Sequence, residues 1–187
     1  MAQPNSYLDA VNGSANPLMS ALYMAKHPGD LVNKYHQAVM RDEDGVPVML
    51  REAIAAFVSG LNMCPLCHQA HTRVAELLGY DRATIEHLKN DIATAPVDEM
   101  ERPLFQLAKI VTLAPSTLEQ ADIDRVKNAG WTEQQIHNVL SVVSLFNYIN
   151  RFVLGHGIRV SAKGVETSAR ALANVGYWSE SGVPEGA

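Results

Sequence analysis

Apolar side chains recur along most of this chain at the spacing of one face of a helix. Between Pro47 and Asn62 they stand at Val48, Leu50, Ile54, Phe57, Val58 and Leu61. A repeat near 3.6 residues is typical of an amphipathic helix, so this segment is predicted to be helical. The next segment, PLCHQAHTRVAELLG, begins with Pro65, which suits a first helical turn, and ends with Gly79, which suits a C-terminal cap.

The same pattern predicts helices along the rest of the chain. They cover roughly residues 17–26, 28–40, 82–91, 98–113, 119–129, 132–154 and 165–175. No segment alternates apolar and polar residues as a half-buried strand does, and no turn signal marks a β-hairpin. The chain is therefore predicted to be all-α, a compact helical bundle.

The 187 residues are predicted to form one domain, because no linker divides them. The helical core is expected over residues 47–160. The first 16 or so residues and the last nine, SESGVPEGA, are small or polar, and both are predicted to be loose or oligomer-bound arms. The long apolar helix at 132–154 predicts self-association into a homo-oligomer.

Charge and hydropathy exclude several classes of function. The formal net charge is −5 and no dense run of lysine and arginine is present, so a nucleic-acid partner is not expected. No run of about 18 uninterrupted apolar residues is found, so no membrane span is expected. The N-terminus lacks the basic segment and apolar run of a signal peptide, and the predicted location is therefore cytoplasmic.

Both cysteines of the chain lie in the stretch NMCPLCHQAHT. Two cysteines three residues apart in a cytoplasmic protein are more often catalytic or metal-binding than a structural cross-link. The spacing of Cys64, Cys67 and His71 places all three on one helix face. Cα atoms three residues apart in a helix are about 5 Å from each other, which is within disulfide range. The positive end of the helix dipole also favours a thiolate.

A carboxylate on the preceding helix completes the group of candidate catalytic residues. If the two helices form an antiparallel hairpin with a short turn, Glu52 lies level with His71. A carboxylate in that position can orient the imidazole and relay protons. Burial is expected to raise the pKa of Glu52, which would suit proton transfer near neutral pH.

Other interpretations of the cysteine stretch compete with redox chemistry. The two cysteines can be packing residues without chemistry. CPLCH matches the c-type haem attachment pattern, which the missing signal peptide disfavours. A zinc site would use Cys64, Cys67, His71 and His68. Such ligands are crowded on one helix, which is poor geometry for a tetrahedron. His156 is a candidate to approach the site from a neighbouring element. No role is assigned to His36, His87 and His137.

The spacing of the site residues resembles the signature of a known family. E-x11-C-x2-C-x3-H, from Glu52 to His71, resembles the motif of the alkyl hydroperoxidase D core within the carboxymuconolactone decarboxylase-like superfamily. The segments LREAIAAFVSGLN and FNYINRFVLGHGI resemble the peroxidase-related branch of that superfamily. The resemblance is strong over about 47–80 and weaker over 98–160, and none is claimed before residue 45.

The resemblance implies an all-helical, cofactor-free thiol peroxidase that reduces organic hydroperoxides or hydrogen peroxide, an antioxidant activity. By this match Cys67 is the peroxidatic thiolate, and Cys64 resolves the resulting sulfenic acid as a disulfide. Glu52 and His71 relay the protons. An external thiol partner, such as a lipoylated or thioredoxin-like protein, then reduces the disulfide. Relatives form trimers or hexamers, in keeping with the expected homo-oligomer.

One position departs from the family pattern. The best-known peroxidase of the family has a histidine directly before its second cysteine, where this chain has Leu66. The departure leaves open a weaker peroxidase or a different preferred substrate. Two other functions also stay open. One is a non-catalytic redox-sensing or assembly module, and the other is a lactone enzyme of the carboxymuconolactone decarboxylase type, which the intact C-x2-C disfavours.

Overall fold

The computed structural model describes residues 4–43 and 45–178. These residues form nine α-helices and one short 3-10 helix, Pro115–Thr117. The α-helices are α1 (Pro17–Leu22), α2 (Lys26–Arg41), α3 (Val48–Leu61), α4 (Pro65–Leu77), α5 (Arg82–Asn90), α6 (Arg102–Leu113), α7 (Gln120–Asn128), α8 (Glu133–Gly155) and α9 (Ala162–Val175). The prediction of an all-α fold is confirmed.

Helix α3 is the centre of the bundle. Every residue from Leu50 to Ser59 is buried, so the helix is covered on all sides. Its neighbours include α4, α5, α6 and α8, and α4 in turn packs against α9. Polar groups on such a helix must find partners inside the protein. Arg51 does so by donating to the carbonyl oxygens of Val39 and Val46, which ties α3 to the end of α2.

The turn between α3 and α4 fixes the start of the cysteine helix. Met63 adopts a left-handed conformation with φ 53° and has its side chain in solvent. The Cys64 N–H donates to the Ser59 carbonyl oxygen over 2.9 Å, which closes the end of α3 in the manner of a Schellman cap. Cys64 is the N-cap of α4, and Pro65 takes the first helical position, where no N–H is needed. The result is the short-turn hairpin that the sequence predicts.

Helix α8 carries amide side chains into the core. Asn138 and Asn150 are buried although they interrupt an apolar run. Asn150 donates to Ser59 Oγ over 3.0 Å and accepts from Asn62 Nδ2 over 3.0 Å, which joins α8 to the end of α3. Within the part of the chain that the structure describes, no helix, α8 included, combines the length and apolarity needed to cross a bilayer.

The N-terminal segment is not a loose arm over residues 4–16. Val11 is fully buried in the core. The Tyr7 N–H and the Ser6 hydroxyl both donate to the His156 carbonyl oxygen, each over 2.9 Å. The expectation of a loose arm is wrong for these residues, because composition does not reveal backbone pairing with a distant helix end. The alternative of an oligomer-bound arm stays a prediction. The other predicted arm, at the C-terminus, lies outside the described residues.

Several helix boundaries differ from the prediction by two to four residues. Helix α6 begins at Arg102 rather than at residue 98. The Asp98 carboxylate accepts a hydrogen bond from the Met100 N–H, and this bond closes a turn before the helix. Helix α1 ends at Leu22, several residues before the predicted end. Helix α2 begins at Lys26, so Pro28 falls in its first turn, where proline is tolerated.

Candidate active site

Helices α3 and α4 bring the four predicted site residues into one region. Cys64 stands at the N-cap of α4, Cys67 lies one turn later and His71 a further turn along. Glu52 lies on α3 and is fully buried. Its Oε2 is 2.7 Å from His71 Nδ1, so the register inferred from the hairpin is the one observed.

The carboxylate of Glu52 is held ionised. Burial alone raises the pKa of a carboxyl group, but the contacts with His71, Arg41 and Tyr177 outweigh burial and lower the pKa of Glu52 to about 2. The expectation of a raised pKa is therefore wrong, because it counted burial without the cation and the donors that surround the group. Since Nδ1 of His71 faces this anion, Nε2 is the ring nitrogen left to exchange protons with a neighbouring molecule.

Two residues that the sequence analysis did not select complete the contacts of Glu52. Arg41, at the end of α2, places Nη1 2.8 Å from Glu52 Oε1. The Tyr177 hydroxyl donates to the same oxygen over 2.8 Å and lies 3.3 Å from His71 Nδ1. Burial and the carboxylate raise the pKa of Tyr177 well above its ordinary value, so this hydroxyl stays a donor. No local sequence pattern marks either residue.

A glycine turn delivers Tyr177 to the site. Gly176 follows α9 with φ 77°, a conformation that residues with a side chain rarely adopt. A Cβ at this position would stand 2.5 Å from Gln37 Oε1. That oxygen accepts a hydrogen bond from the Tyr177 N–H over 2.7 Å. The Tyr177 ring then stacks on His36 with centroids 3.8 Å apart and lies 4.9 Å from the Arg41 guanidinium carbon.

The two cysteines are free thiols, buried and hydrogen-bonded to each other. The bond from the Cys67 thiol lowers the pKa of Cys64, and the same bond, together with burial, raises the pKa of Cys67. Asn150 adds a hydrogen bond to each sulfur. The pair therefore loses its first proton from Cys64, and the remaining proton lies on Cys67. Sequence reasoning missed Asn150, whose signal is an amide inside the apolar run of α8.

Cys67 borders a cavity of about 90 Å³, and Cys64 lies outside its lining. His71 and Tyr177 stand in the same wall, which is otherwise largely apolar. Its apolar residues include Leu18, Leu22, Leu66, Ile149, Val165 and Leu172. Leu66, the position that departs from the family pattern, is thus part of the apolar wall. Such a lining suits an uncharged molecule with an apolar body, placed against the sulfur of Cys67.

The candidate zinc ligands Cys64, Cys67, His68 and His71 are not arranged around a common metal position among the described residues. His68 is buried, with Nδ1 2.9 Å from a carbonyl oxygen of α3 and Nε2 3.1 Å from Glu86 Oε1. His156 does not line the cavity beside Cys67, and its ring stacks on Phe152 instead. In the described ranges, no group of three or more His, Cys, Asp and Glu residues is arranged to hold a metal ion.

Removal of the Tyr177 hydroxyl is expected to destabilise the protein. Tyr177→Phe keeps the ring stacked on His36 but takes a hydrogen bond from the buried Glu52 carboxylate, and bonds to charged groups contribute about 2 kcal/mol. The free energy of unfolding in urea measures the loss. Tyr148→Phe, on a ring that is 48% exposed, is the control and should change little. Equal stabilities for wild type and Tyr177→Phe would contradict the structural role given to this hydroxyl.

No protein-family model and no curated protein matches the chain. Several solved structures do. An uncharacterized peroxidase-related protein from Silicibacter sp. TM1040 is 24% identical, with a TM-score of 0.73 over 81% of this chain and 79% of the other. The alkylhydroperoxidase AhpD core of a peroxidase-related protein from Ralstonia eutropha JMP134 is 20% identical, with a TM-score of 0.72 over 80% and 78%. This chain has the alkylhydroperoxidase D-like fold.

The neighbours that share this fold are not all named as peroxidase-related proteins. The debrominase Bmp8, solved in complex with 2,3,4-tribromopyrrole, is 14% identical, with a TM-score of 0.69 over 84% of this chain and 82% of the other. Similarity at these identities establishes the architecture, and the resemblance inferred from the motif is confirmed at that level. The reaction has to be argued from the residues of the site.

Proposed function

We propose that this chain is a thiol-dependent peroxidase that reduces organic hydroperoxides or hydrogen peroxide through a Cys64–Cys67 dithiol–disulfide cycle. The position of Cys67 carries the proposal. Its sulfur borders an apolar cavity, contacts a second thiol and lies one helical turn from His71, which an ionised carboxylate holds. A two-cysteine peroxidase needs these parts: a nucleophile, a resolving thiol, a proton relay and space for the substrate.

The first chemical step follows a proton shift within the cysteine pair. Once the pair has lost one proton, the charge lies on Cys64 and the remaining proton on Cys67, so transfer across their shared hydrogen bond makes Cys67 the thiolate. Cys67 Sγ then attacks the terminal oxygen of ROOH, and the O–O bond breaks. The sulfur is oxidised to sulfenic acid. The leaving alkoxide takes a proton from the His71 imidazolium, which Glu52 stabilises, and departs as ROH.

The second step forms the disulfide. The sulfur of Cys64, now a thiol, attacks the sulfur of the Cys67 sulfenic acid, and the S–O bond breaks. The Cys64 proton passes to the leaving hydroxide, which departs as water. One dithiol and one hydroperoxide thus give one disulfide, one alcohol and one water. Two electrons and two protons from an external thiol partner, a lipoylated or thioredoxin-like protein, restore the dithiol.

The surroundings of the site support an enzyme over the alternatives. A redox sensor needs no substrate space beside its thiol, whereas Cys67 borders a cavity. A lactone enzyme has no use for two interacting sulfurs. A homo-oligomer, trimer or hexamer, is proposed because apolar side chains of α2 and α8 remain half exposed in the single chain, among them Leu31, Tyr35 and Tyr148. The cytoplasmic location stays a prediction.

Two measurements test the proposed function. The reduced protein is expected to lose about 2 Da per chain within minutes of adding one equivalent of cumene hydroperoxide, as read by intact mass. With excess dithiothreitol or dihydrolipoamide it is expected to consume many equivalents of peroxide. Accessible thiols with an unchanged mass would refute the peroxidase. Oxidation without turnover in the presence of dihydrolipoamide, thioredoxin or dithiothreitol would indicate a redox sensor.

A further inference from the structure

A histidine outside the proposed relay also lines this cavity. His36, on α2, is 7% exposed, and its ring borders the cavity together with Cys67. Its Nε2 is buried and has no hydrogen-bond partner among the residues that the structure describes. Buried polar atoms are seldom left unpaired, because the loss of hydration is then uncompensated. The unpaired nitrogen therefore indicates that its hydrogen-bond partner is a ligand that enters the protein.

The cavity is the space from which such a partner can come. Nε2 is shielded from bulk solvent, and the cavity is the open volume that the ring borders. The ring centroids of His36 and His71 are 6.4 Å apart. If both rings form a hydrogen bond of about 2.8 Å to one shared oxygen, their centroids can be up to about 8 Å apart. A single oxygen atom can thus contact both imidazoles.

The charge and the size of the cavity narrow the class of ligand. Burial, followed by the charge of His71, lowers the pKa of His36 to about 3, so the imidazole is neutral at physiological pH. A neutral ring offers hydrogen bonding to a hydroxyl or hydroperoxyl group but no charge for a carboxylate. The volume of about 90 Å³ corresponds to about six waters, which is close to the size of a five-carbon alcohol.

We propose that His36 is a substrate-contacting residue whose Nε2 hydrogen-bonds the uncharged oxygen of a small alcohol or alkyl hydroperoxide in the cavity of Cys67. In the peroxidase reaction this is the oxygen that leaves as the alcohol. The assignment to that oxygen rests on the proposed function, whereas the hydrogen bond to an alcohol does not. Asn33 lies one turn earlier on α2, is buried and borders the same cavity, so the ligand's polar end lies on this side.

The first test uses the reduced wild-type chain with 15N-labelled histidine. The probes are 2-methylbutan-2-ol and 2,2-dimethylbutane, which has the same shape with a methyl group in place of the hydroxyl. The alcohol is expected to shift the His36 15Nε2 resonance as it binds, and the hydrocarbon is expected to leave that resonance in place. Absence of alcohol binding, or binding without a change at His36 Nε2, overturns the proposal.

The second test compares affinities in a variant that keeps a ring against Tyr177. In His36→Phe the Kd of the alcohol is expected to rise about tenfold, while that of the hydrocarbon changes by less than about twofold. His156→Phe is the matched control, because that imidazole also stacks on an aromatic ring but lies outside the cavity lining. If His36→Phe does not fold, the response of the His36 15Nε2 resonance to the alcohol in the wild-type protein decides whether the proposal stands.

The outcomes separate this inference from the proposed function. If alcohol binding depends on His36 but the protein consumes no peroxide, the ligand site is supported and the peroxidase proposal is refuted. If the protein turns over peroxide but the alcohol affinity is unchanged in His36→Phe, the contact between His36 and the ligand oxygen is refuted and the peroxidase proposal is supported.

Discussion

Replacement of Cys67 by serine is expected to abolish oxidation of the protein by cumene hydroperoxide, because Cys67 is the sulfur that borders the cavity. Replacement of Cys64 is expected to slow the first step without abolishing it, because the proton acceptor of Cys67 is lost, and to stop the second step. Intact mass separates the two results. Wild type should lose about 2 Da, Cys67→Ser should not change, and Cys64→Ser should gain about 16 Da as a sulfenic acid. Turnover should fall at least about 10³-fold in both variants.

The opposite pKa shifts of the two thiols make this experiment decisive for their roles. Burial and the shared hydrogen bond place the proton on Cys67, so accessibility favours Cys67 as nucleophile while the pKa order favours Cys64. If Cys67→Ser gains oxygen and Cys64→Ser stays inert, the roles are the reverse of those proposed. Ala70→Ser is the control, because it adds a hydroxyl to the same cavity wall and spares both sulfurs. Its oxidation rate should stay within about threefold of wild type.

Neutralising Glu52 is expected to reduce both activity and stability. In Glu52→Gln the Arg41 guanidinium loses its buried counter-ion and His71 loses the anion that stabilises its imidazolium. The shift of the Glu52 pKa from 4.5 to about 2 corresponds to about 3 kcal/mol of stability at pH 7. Oxidation by peroxide should slow about 100-fold. Urea unfolding and the rate of mass change measure the two effects.

The pH dependence gives this prediction a sign. The pKa of Glu52 is lower in the folded than in the unfolded protein, so its stabilisation is complete above pH 4.5 and is lost as the pH falls towards 2. The stability difference between wild type and Glu52→Gln should therefore shrink by roughly half between pH 7 and pH 3. A constant difference would contradict an ionised Glu52. Glu86→Gln, at a carboxylate that is 41% exposed, should change stability little.

Much of the site was accessible to sequence reasoning because it lies on two consecutive helices. The apolar period of 3.6 predicted α3 and α4, and the spacing of Cys64, Cys67 and His71 placed them on one helix face. The short turn then set Glu52 level with His71, and the observed distance of 2.7 Å agrees. Each step needed only contacts within a helix or across one turn.

Other parts of the site carried weak signals or none. His36 falls in the apolar stripe of α2, three and four residues before Val39 and Met40, and a histidine in such a stripe is a sign of burial. Its place beside the cavity depends on how α2 packs. Tyr177 stands 125 residues from Glu52 in sequence, and only the turn at Gly176 brings its hydroxyl to the carboxylate.

The sequence by itself determined the helical elements and the spacing of the chemical groups on them, because both follow from local geometry. The tertiary structure decided the protonation states. Glu52 is ionised because His71, Arg41 and Tyr177 all contact it from other segments of the chain, and the pKa of Cys64 is lowered because the Cys67 thiol donates to it within a buried site. A pKa depends on every charge and donor within a few ångströms. Those neighbours are assembled only when the helices pack.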